Sequence, residues 1–351
     1  MHINFKRIYV QRSALLYYRE RVDEIRSKWP DATMIEVDMH NSIEEMTTKS
    51  PEDWLTAKRD VLVLGIIKTL TNTPNGRSTD FIAPSTANGC LSACQYCYVA
   101  RRKSTSVAGA NPLTVFLNIG GIITSIKNHS QTLGAKTPNQ CDPKLWTYDI
   151  GCNNDVSLDL HISDNSLQMI RAFNDGNVKL SFATKSVNLE PLLSVNPNGR
   201  TRVRFSLMPE PIRKRVDIRT STIEERLEAM NALANHDYEI HANFSPVIIY
   251  DGWESDWIAL WRLMNQRLSQ QVKNQLKSEV IFLTHSKDMH EMNMQWNPSG
   301  EELIWRPELM TTKFDKPDVM AYRYDLKKGY LDKFRALMAE HLPYCAIRYA
   351  F

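Results

Sequence analysis

The chain has 351 residues, 42% hydrophobic and 24% charged, the composition of an ordinary globular protein that can bury a full core in one large or two modest domains. No apolar run reaches the roughly 18 residues a membrane span needs, and Met1-His2-Ile3-Asn4-Phe5-Lys6 shows no apolar signal core, so a cytoplasmic protein without a membrane partner is expected. The net charge of +3 is too small to establish a nucleic-acid partner, and the distribution of charge says more.

Residues 1–60 read as a small α/β lead-in. Residues 5–10 alternate as a short strand does, and 13–29 carry Leu15, Leu16, Tyr18, Val22 and Ile25 at helical spacing. Pro30 and Asp31 stop that helix. Residues 34–37 form a second strand candidate. Ser50 and Pro51 form a helix start, with Ser50 as N-cap and Pro51 at the first helical position. Residues 60–66 predict a buried strand and 79–83 another, and a loop with three cysteines follows it directly.

Beyond that loop strands and helices alternate. Strands are predicted over 114–118, 145–150, 178–184, 201–207, 239–249 and 279–284. Helices are predicted over 120–128, 165–174, 222–234, 257–276 and 326–342. This alternation predicts an α/β fold, a parallel sheet covered by helices. About six repeats, with no Gly-rich fingerprint at the first crossover, favour a partial (β/α)6 TIM-like barrel over an open doubly wound sheet. The expected divisions are a lead-in over 1–75, the barrel over 76–290 and a C-terminal hairpin and helix extension over 291–351. Residues 99–113 and 128–144 are polar connections, read as solvated loops.

Half of the six cysteines fall within eight positions, Cys90, Cys94 and Cys97, spaced C-x3-C-x2-C. Three thiolates on one short loop ligate three irons of a 4Fe-4S cluster and leave the fourth iron open to a non-protein ligand. Zinc, the weaker alternative, would want a fourth Cys or His nearby, and no His lies between Pro84 and Asn128. In a reducing compartment clustered cysteines read as metal ligands rather than disulfides. Cys141 and Cys345 read as structural thiols. With Tyr96 between the last two cysteines and Tyr98 after them, the loop resembles the signature of the radical S-adenosylmethionine (SAM) superfamily. That signature is silent on the reaction.

Lys179, Ser181, Ala183 and Lys185 share one face of a strand, and Arg202, Arg204 and Ser206 share one face of the next. Turned into a barrel, these cations need anionic partners. A SAM carboxylate is one, and Asp or Glu side chains around the barrel are an equally simple alternative. Arg213, Lys214 and Arg215 lie in a basic run over 200–219, which suits a solvated face or a phosphate backbone. Near the C-terminus Trp296, Trp305, Phe314, Tyr322, Tyr324 and Tyr330 alternate with Arg306, Lys313, Lys316, Arg323, Lys327 and Lys328. Stacking faces and cations are what a single-stranded or flipped base requires. The alternative is that these aromatics are core.

From about Phe5 onward the chain resembles the spore photoproduct lyase family, radical SAM enzymes that split a methylene-bridged thymine dimer in DNA. The matching stretches include Ala83-Pro84, Thr86-Ala87-Asn88-Gly89-Cys90 through Cys97-Tyr98, and Phe182-Ala183-Thr184-Lys185. They continue through Asn198-Gly199-Arg200-Thr201-Arg202-Val203-Arg204-Phe205-Ser206, Glu224-Glu225-Arg226-Leu227-Glu228-Ala229, Ser245-Pro246-Val247-Ile248 and Gly252-Trp253. The resemblance implies that Cys90, Cys94 and Cys97 hold the cluster, and that Lys185, Ser206, Asn154 and the Ser245 backbone contact SAM. It implies that Cys152 donates hydrogen to the product radical, with Tyr96 and Tyr98 between cluster, thiol and SAM. Tyr98 is the better candidate to relay hydrogen back to the cofactor.

The family's cysteine is followed by Ser-Asp two residues on. Here Cys152 and Asp155 fit, while Asn153-Asn154 departs. The family's lesion-binding hairpin carries an Arg-Tyr pair where this chain has Lys316-Pro317, ahead of Ala321-Tyr322-Arg323-Tyr324. The implied partners are DNA, with the lesion extruded from the duplex, and an electron donor such as flavodoxin or ferredoxin. Two alternatives stand beside lesion repair: radical SAM modification of an undamaged base, and a non-enzymatic iron–sulfur protein that binds DNA or senses redox state.

Overall fold

A strand that is apolar at every position has to be covered on both faces, and Val61, Leu62, Val63 and Leu64 are all fully buried. They lie in the middle of a five-stranded sheet. The structure, a computed structural model, describes residues 3–44, 51–100 and 112–351. The chain packs as two units: Met1–Leu91, Tyr98–Val203 and His236–Tyr238 form the first, and Ser92–Cys97, Arg204–Asn235 and Glu239–Phe351 the second.

In chain order the first unit holds β1 (Arg7–Gln11), α1 (Arg12–Tyr17), α2 (Arg19–Ser27), β2 (Thr33–Val37), α3 (Pro51–Asp60), β3 (Val61–Gly65), β4 (Thr73–Pro74), β5 (Phe81–Ile82), β6 (Ala87–Asn88), β7 (Leu113–Phe116), α4 (Ile119–Thr132), β8 (Trp146–Asp149), α5 (Val156–Ile162), α6 (Asn165–Ala172) and β9 (Val178–Thr184). Its first sheet has the order β2-β1-β3-β7-β6, parallel except for β6. Ile8, Val10, Val22, Ile25, Leu62, Leu64 and Val115 form its core. A second run of strands has the order β4-β5-β8-β9, in which β5, β8 and β9 are parallel.

The next strand, β10 (Thr201–Ser206), divides between the units after Val203. The second unit continues with α7 (Glu210–Val216), α8 (Ile223–Ala234), β11 (Glu239–Val247), α9 (Trp253–Arg267), α10 (Gln270–Gln275), β12 (Lys277–Phe282), β13 (Thr284–Ser286), α11 (Lys287–Trp296), α12 (Pro298–Ile304), β14 (Met310–Lys313), β15 (Lys316–Tyr322), α13 (Tyr324–His341) and β16 (Ala346–Ala350). Strands β10, β11, β12 and β16 are neighbours in that order, and β11, β12 and β16 are parallel. A separate antiparallel sheet has the order β13-β15-β14.

Several predicted elements are shorter or divided, each for a local reason. The helix predicted over 13–29 breaks at Tyr18 into α1 and α2. The one predicted over 257–276 ends at Arg267 and restarts as α10, whose cap Ser269 accepts the Val272 N–H. The strand over 79–83 shrinks to β5 because the Asp80 backbone is occupied otherwise, its N–H donating to Thr147 Oγ1 at 2.8 Å and its carbonyl accepting from the Asn75 N–H at 2.8 Å. Helix α8 begins where expected, with a reciprocal capping box between Thr222 and Glu225. Ser50, the expected cap of α3, and most of the connection over 99–113 lie outside the described residues. Helices α5, α7, α11 and α12 lie outside the helices predicted above.

Strand pairing runs across the sequence blocks. The lead-in's sheet takes in β6 and β7 from beyond residue 75, and β12 and β16 pair across residue 290. Sheet pairing joins strands by register rather than by sequence block.

Phe244 of β11 meets Trp257 at 5.4 Å between ring centroids, and Phe334 of α13 meets Trp257 at 4.9 Å and Trp261 at 5.1 Å. All four rings are fully buried. Replacing Phe334 with alanine should leave a void in this cluster and lower the stability of the second unit by about 3–5 kcal/mol. Urea unfolding followed by tryptophan fluorescence measures it, since Trp257 and Trp261 line the void.

Candidate active site

Gly89 opens the cysteine loop in a conformation that a side chain would forbid. Its φ is +89°, and a Cβ there would stand 2.6 Å from the Pro112 carbonyl oxygen. Its N–H donates to the Asn153 carbonyl at 2.9 Å, which ties the loop entrance to the segment holding Cys152. Cys90 is half-buried and belongs to the first unit; buried Cys94 and half-buried Cys97 belong to the second. In the second unit Ala93 N–H donates to Ile218 O and Gln95 N–H to Val216 O, both at 3.0 Å, and Cys97 N–H closes a turn on Cys94 O at 3.1 Å. The backbone on which two of the thiols sit is therefore pinned. Among the described residues no three His, Cys, Asp or Glu side chains close on one point as the ligands of a single ion do. The thiolates of a four-iron cluster bind separate irons and need not do so.

Tyr96 has a different occupation from the relay expected of it. Its hydroxyl donates a short hydrogen bond to the Asp217 carboxylate. Burial, and then the Asp217 charge, push the phenol's pKa well above its ordinary value, so its proton stays in place. Asp217 is matched from its other side by Arg226 at 3.8 Å, and both side chains are fully buried. Arg226 also donates to the Ser206 carbonyl at 2.6 Å, to Thr220 Oγ1 at 2.7 Å and to Ser221 O at 2.8 Å. Ser206 itself is buried at the end of β10, with its hydroxyl accepting from Asn243 Nδ2 at 3.4 Å. Ser245 is half-buried where the β11–β12 register slips.

In the first unit the Tyr98 hydroxyl donates to the Cys152 carbonyl at 2.9 Å and lies 3.7 Å from Cys152 Sγ. Asp155 caps α5, accepting from Ser157 N–H at 3.1 Å, and reaches the end of β9, accepting from Thr184 Oγ1 at 2.8 Å and Lys185 N–H at 3.0 Å. One carboxylate thus fixes the Cys152 segment against Lys185. Between them Asn154 is only 6% exposed, and neither its amide nitrogen nor its amide oxygen has a hydrogen-bond partner. A buried carboxamide with both ends unmatched calls for a polar ligand, so this segment fits a bound SAM. Cys141, the competing thiol, is buried and donates to the Arg77 carbonyl at 3.2 Å.

The strand-face cations find protein partners. Arg202 and Lys179 pair with Asp142 at 3.2 and 2.7 Å, and Arg204 and Arg348 pair with Glu279 at 3.2 and 2.9 Å. Burial alone would raise the Asp142 carboxyl; the Lys179 ammonium and the Lys144 and Leu145 amides outweigh it and hold it below the ordinary carboxylate range. The arginines therefore need no SAM carboxylate.

Three of the six expected DNA contacts are engaged elsewhere. Arg213 makes two 2.9 Å bonds to Glu210, and Arg215 pairs with Glu302 at 3.1 Å. Tyr322 is 3% exposed, accepts the Ile249 N–H at 2.9 Å, and packs edge-on against Phe282 and Tyr330, so it offers no stacking face. Lys214, Lys316 and Arg323 are exposed. So is Phe314, which with Asp315 forms the turn between β14 and β15. Sequence reasoning missed Asp217 as the partner of Tyr96. Only its place among basic residues marked it.

Tyr96→Phe should destabilise the second unit by about 1.5–3 kcal/mol, because Asp217 loses a charge-assisted bond in a buried setting. Tyr98→Phe, whose hydroxyl is half-exposed, should change stability by less than about 1 kcal/mol. Thermal unfolding of the two variants beside the parent chain makes the comparison.

A family model described as spore photoproduct lyase matches residues 4–350. Spore photoproduct lyase of Bacillus subtilis (strain 168) is 25% identical over 262 residues, 74% of this chain and 73% of that protein. Its counterpart from Geobacillus sp. (strain Y412MC61) is 26% identical over 227 residues, 64% of this chain and 61% of that protein. Among solved structures, a cysteine-to-alanine variant of spore photoproduct lyase superposes with a TM-score of 0.86 at 20% identity over 100% of both chains. A doubly substituted form with bound AdoMet and dinucleoside spore photoproduct has a TM-score of 0.86 at 21% identity over 99% of each chain. In fold, then, the chain is the α/β partial barrel of radical SAM type expected from its sequence. With a match that runs from Asn4 to Ala350, it belongs to the spore photoproduct lyase family.

Proposed function

We infer that this chain is a radical SAM lyase that repairs spore photoproduct, the methylene-bridged thymine dimer, in DNA. The observation that carries the reading is the Cys152 thiol held 3.7 Å from the Tyr98 hydroxyl, in a chain of this family that also bears the three-cysteine loop. Cys90, Cys94 and Cys97 would hold a 4Fe-4S cluster. Asn154, Lys185, Ser206 and Ser245 would hold SAM, and the unmatched amide of Asn154 supports the assignment. When bound, cluster and SAM together supply a 5′-deoxyadenosyl radical that takes a hydrogen atom from the lesion.

The chain's own residues govern the later steps. Once the methylene bridge has cleaved, the Cys152 S–H bond breaks and its hydrogen atom forms the C–H bond of the repaired thymine. The Tyr98 O–H then supplies a hydrogen atom to the sulfur, which restores the thiol and leaves the radical on the tyrosine oxygen. Tyr96, held by Asp217, keeps its proton and anchors the loop. Lys214, Lys316, Arg323 and Phe314 are the exposed groups available for phosphates and an extruded base, a step that is least costly for a distorted lesion. A flavodoxin or ferredoxin in the cytoplasm would supply the electron.

A second reading, modification of an undamaged base, is favoured by the buried Tyr322 and by Lys316-Pro317 at the hairpin. Product mass separates the two. Anaerobic incubation with SAM, reductant and irradiated thymidine dinucleotide should return intact thymines. Cys152→Ala should leave SAM cleavage in place and divert the product radical to adducts, whereas Cys141→Ala should repair cleanly. Clean repair by Cys152→Ala would remove it as the donor.

Binding to irradiated duplex should weaken with salt. Neutralising Lys214, Lys316 and Arg323 together should reduce the slope of log K against log salt by up to about 3 units. An unchanged slope returns all three to the solvated surface.

A further inference from the structure

Gln95 stands between Cys94 and Cys97, and the second unit grips it from residues 198 and 202 positions further along. Its side-chain amide donates to the Asn297 carbonyl at 2.8 Å, and its own carbonyl accepts from Asn293 Nδ2 at 2.9 Å. Gln95 is fully buried. A Cβ on Gly300 would stand 1.6 Å from Gln95 Oε1, so α12 can close on this side chain only with glycine there. Asn293, also fully buried, donates in addition to Glu301, and its Oδ1 accepts from Trp296 Nε1 at 3.2 Å. Glu301 is 2% exposed and accepts from His285 Nε2 at 3.0 Å and from His290 Nδ1 at 2.7 Å. The His290 ring stacks on Trp305 at 4.2 Å with 9° between planes.

A line of hydrogen bonds therefore runs from half-exposed His290 through Glu301 and Asn293 to the peptide carbonyl between two of the cysteines. A buried carboxylate and two buried carboxamides are a poor way to gain stability, because each must be desolvated. They are a good way to hold one backbone geometry. Partners behind a metal ligand orient it, and hydrogen bonds and dipoles near a cluster's sulfurs set its potential.

We propose that Asn293 is a positioning residue for the cluster: through the Gln95 carbonyl it fixes the Cys94–Cys97 turn, and so sets the cluster's potential and its hold on iron. This rests on the cluster reading above. The β13–α12 segment then has a second task beside carrying the hairpin, as the clamp of the cysteine loop.

The test uses the full chain, loaded anaerobically, with Asn293→Ala, His290→Leu and His290→Gln beside the parent. Iron per chain, the rate of iron loss to a chelator, the EPR spectrum of the reduced cluster and its midpoint potential are measured. Asn293→Ala should still take up about four irons, lose them about 10–100-fold faster, and show a shifted EPR spectrum and potential. His290→Leu, at a half-buried position one bond further from the loop, should move all three in the same direction by less. His290→Gln, whose amide can still donate to Glu301, should return them to parental values. Parental release rate, spectrum and potential in both Asn293→Ala and His290→Leu overturn the proposal. A parent chain that takes up no iron overturns the cluster reading itself, and the proposal with it.

Discussion

Asp217 is a fully buried carboxylate, and the second unit is arranged to match it. Left unpaired, such a charge would be costly enough to unfold the site. Arg226 on one side and the Tyr96 hydroxyl on the other satisfy it. Through these two partners one acid joins the cysteine loop to α8, and through the remaining bonds of Arg226 it also fixes the carbonyl of Ser206 at the end of β10. Any shift of the loop would take the Tyr96 hydroxyl from a buried carboxylate and leave Arg226 as its partner, and that lost bond holds the loop still.

The first unit uses the same device with Asp155. Its carboxylate caps α5 and takes the hydroxyl and the amide at the end of β9. The segment from Cys152 to Asp155 is thereby held at the carboxyl end of β8, where chemistry collects in parallel α/β folds. Three of the four residues have evident occupations: Cys152 meets Tyr98, and Asp155 holds the backbone. Asn153 anchors the segment to Ser85 at 2.9 Å. Asn154 alone is left with a buried, unmatched amide, which is the feature expected of a residue shaped to receive a ligand rather than to support the fold.

Several of the cations expected to face DNA are engaged in ion pairs within the protein. Arg202 and Arg204 are buried ion-pair partners, and Arg213 and Arg215 turn to neighbouring glutamates. The basic run over 200–219 therefore presents little of its charge to a phosphate backbone. What faces outward is smaller and more specific: Lys214, Lys316, Arg323, and the uncovered rings of Phe314 and Tyr324. An aromatic at a hairpin tip flanked by lysines suits a base and its phosphates better than a broad basic face would.

Whatever depends on near neighbours could be read from the order of residues. Residues 178–184 were legible as a strand because alternation is a property of one segment, and 222–234 as a helix because helical spacing is too. The cysteine spacing was legible for the same reason, and the distributed match to a known family supplied the reaction. The occupation of each polar side chain was set only by folding. Tyr96 and Tyr98 are two positions apart and chemically identical, yet Asp217 claims one and Cys152 the other. Tyr322 looked like a stacking face and is core, because Ile249, Phe282 and Tyr330 surround it. Gln95 carries no local signal and is held by residues about two hundred positions away. These outcomes turn on which donor meets which acceptor across the fold, a matter of distance in space that no local pattern encodes.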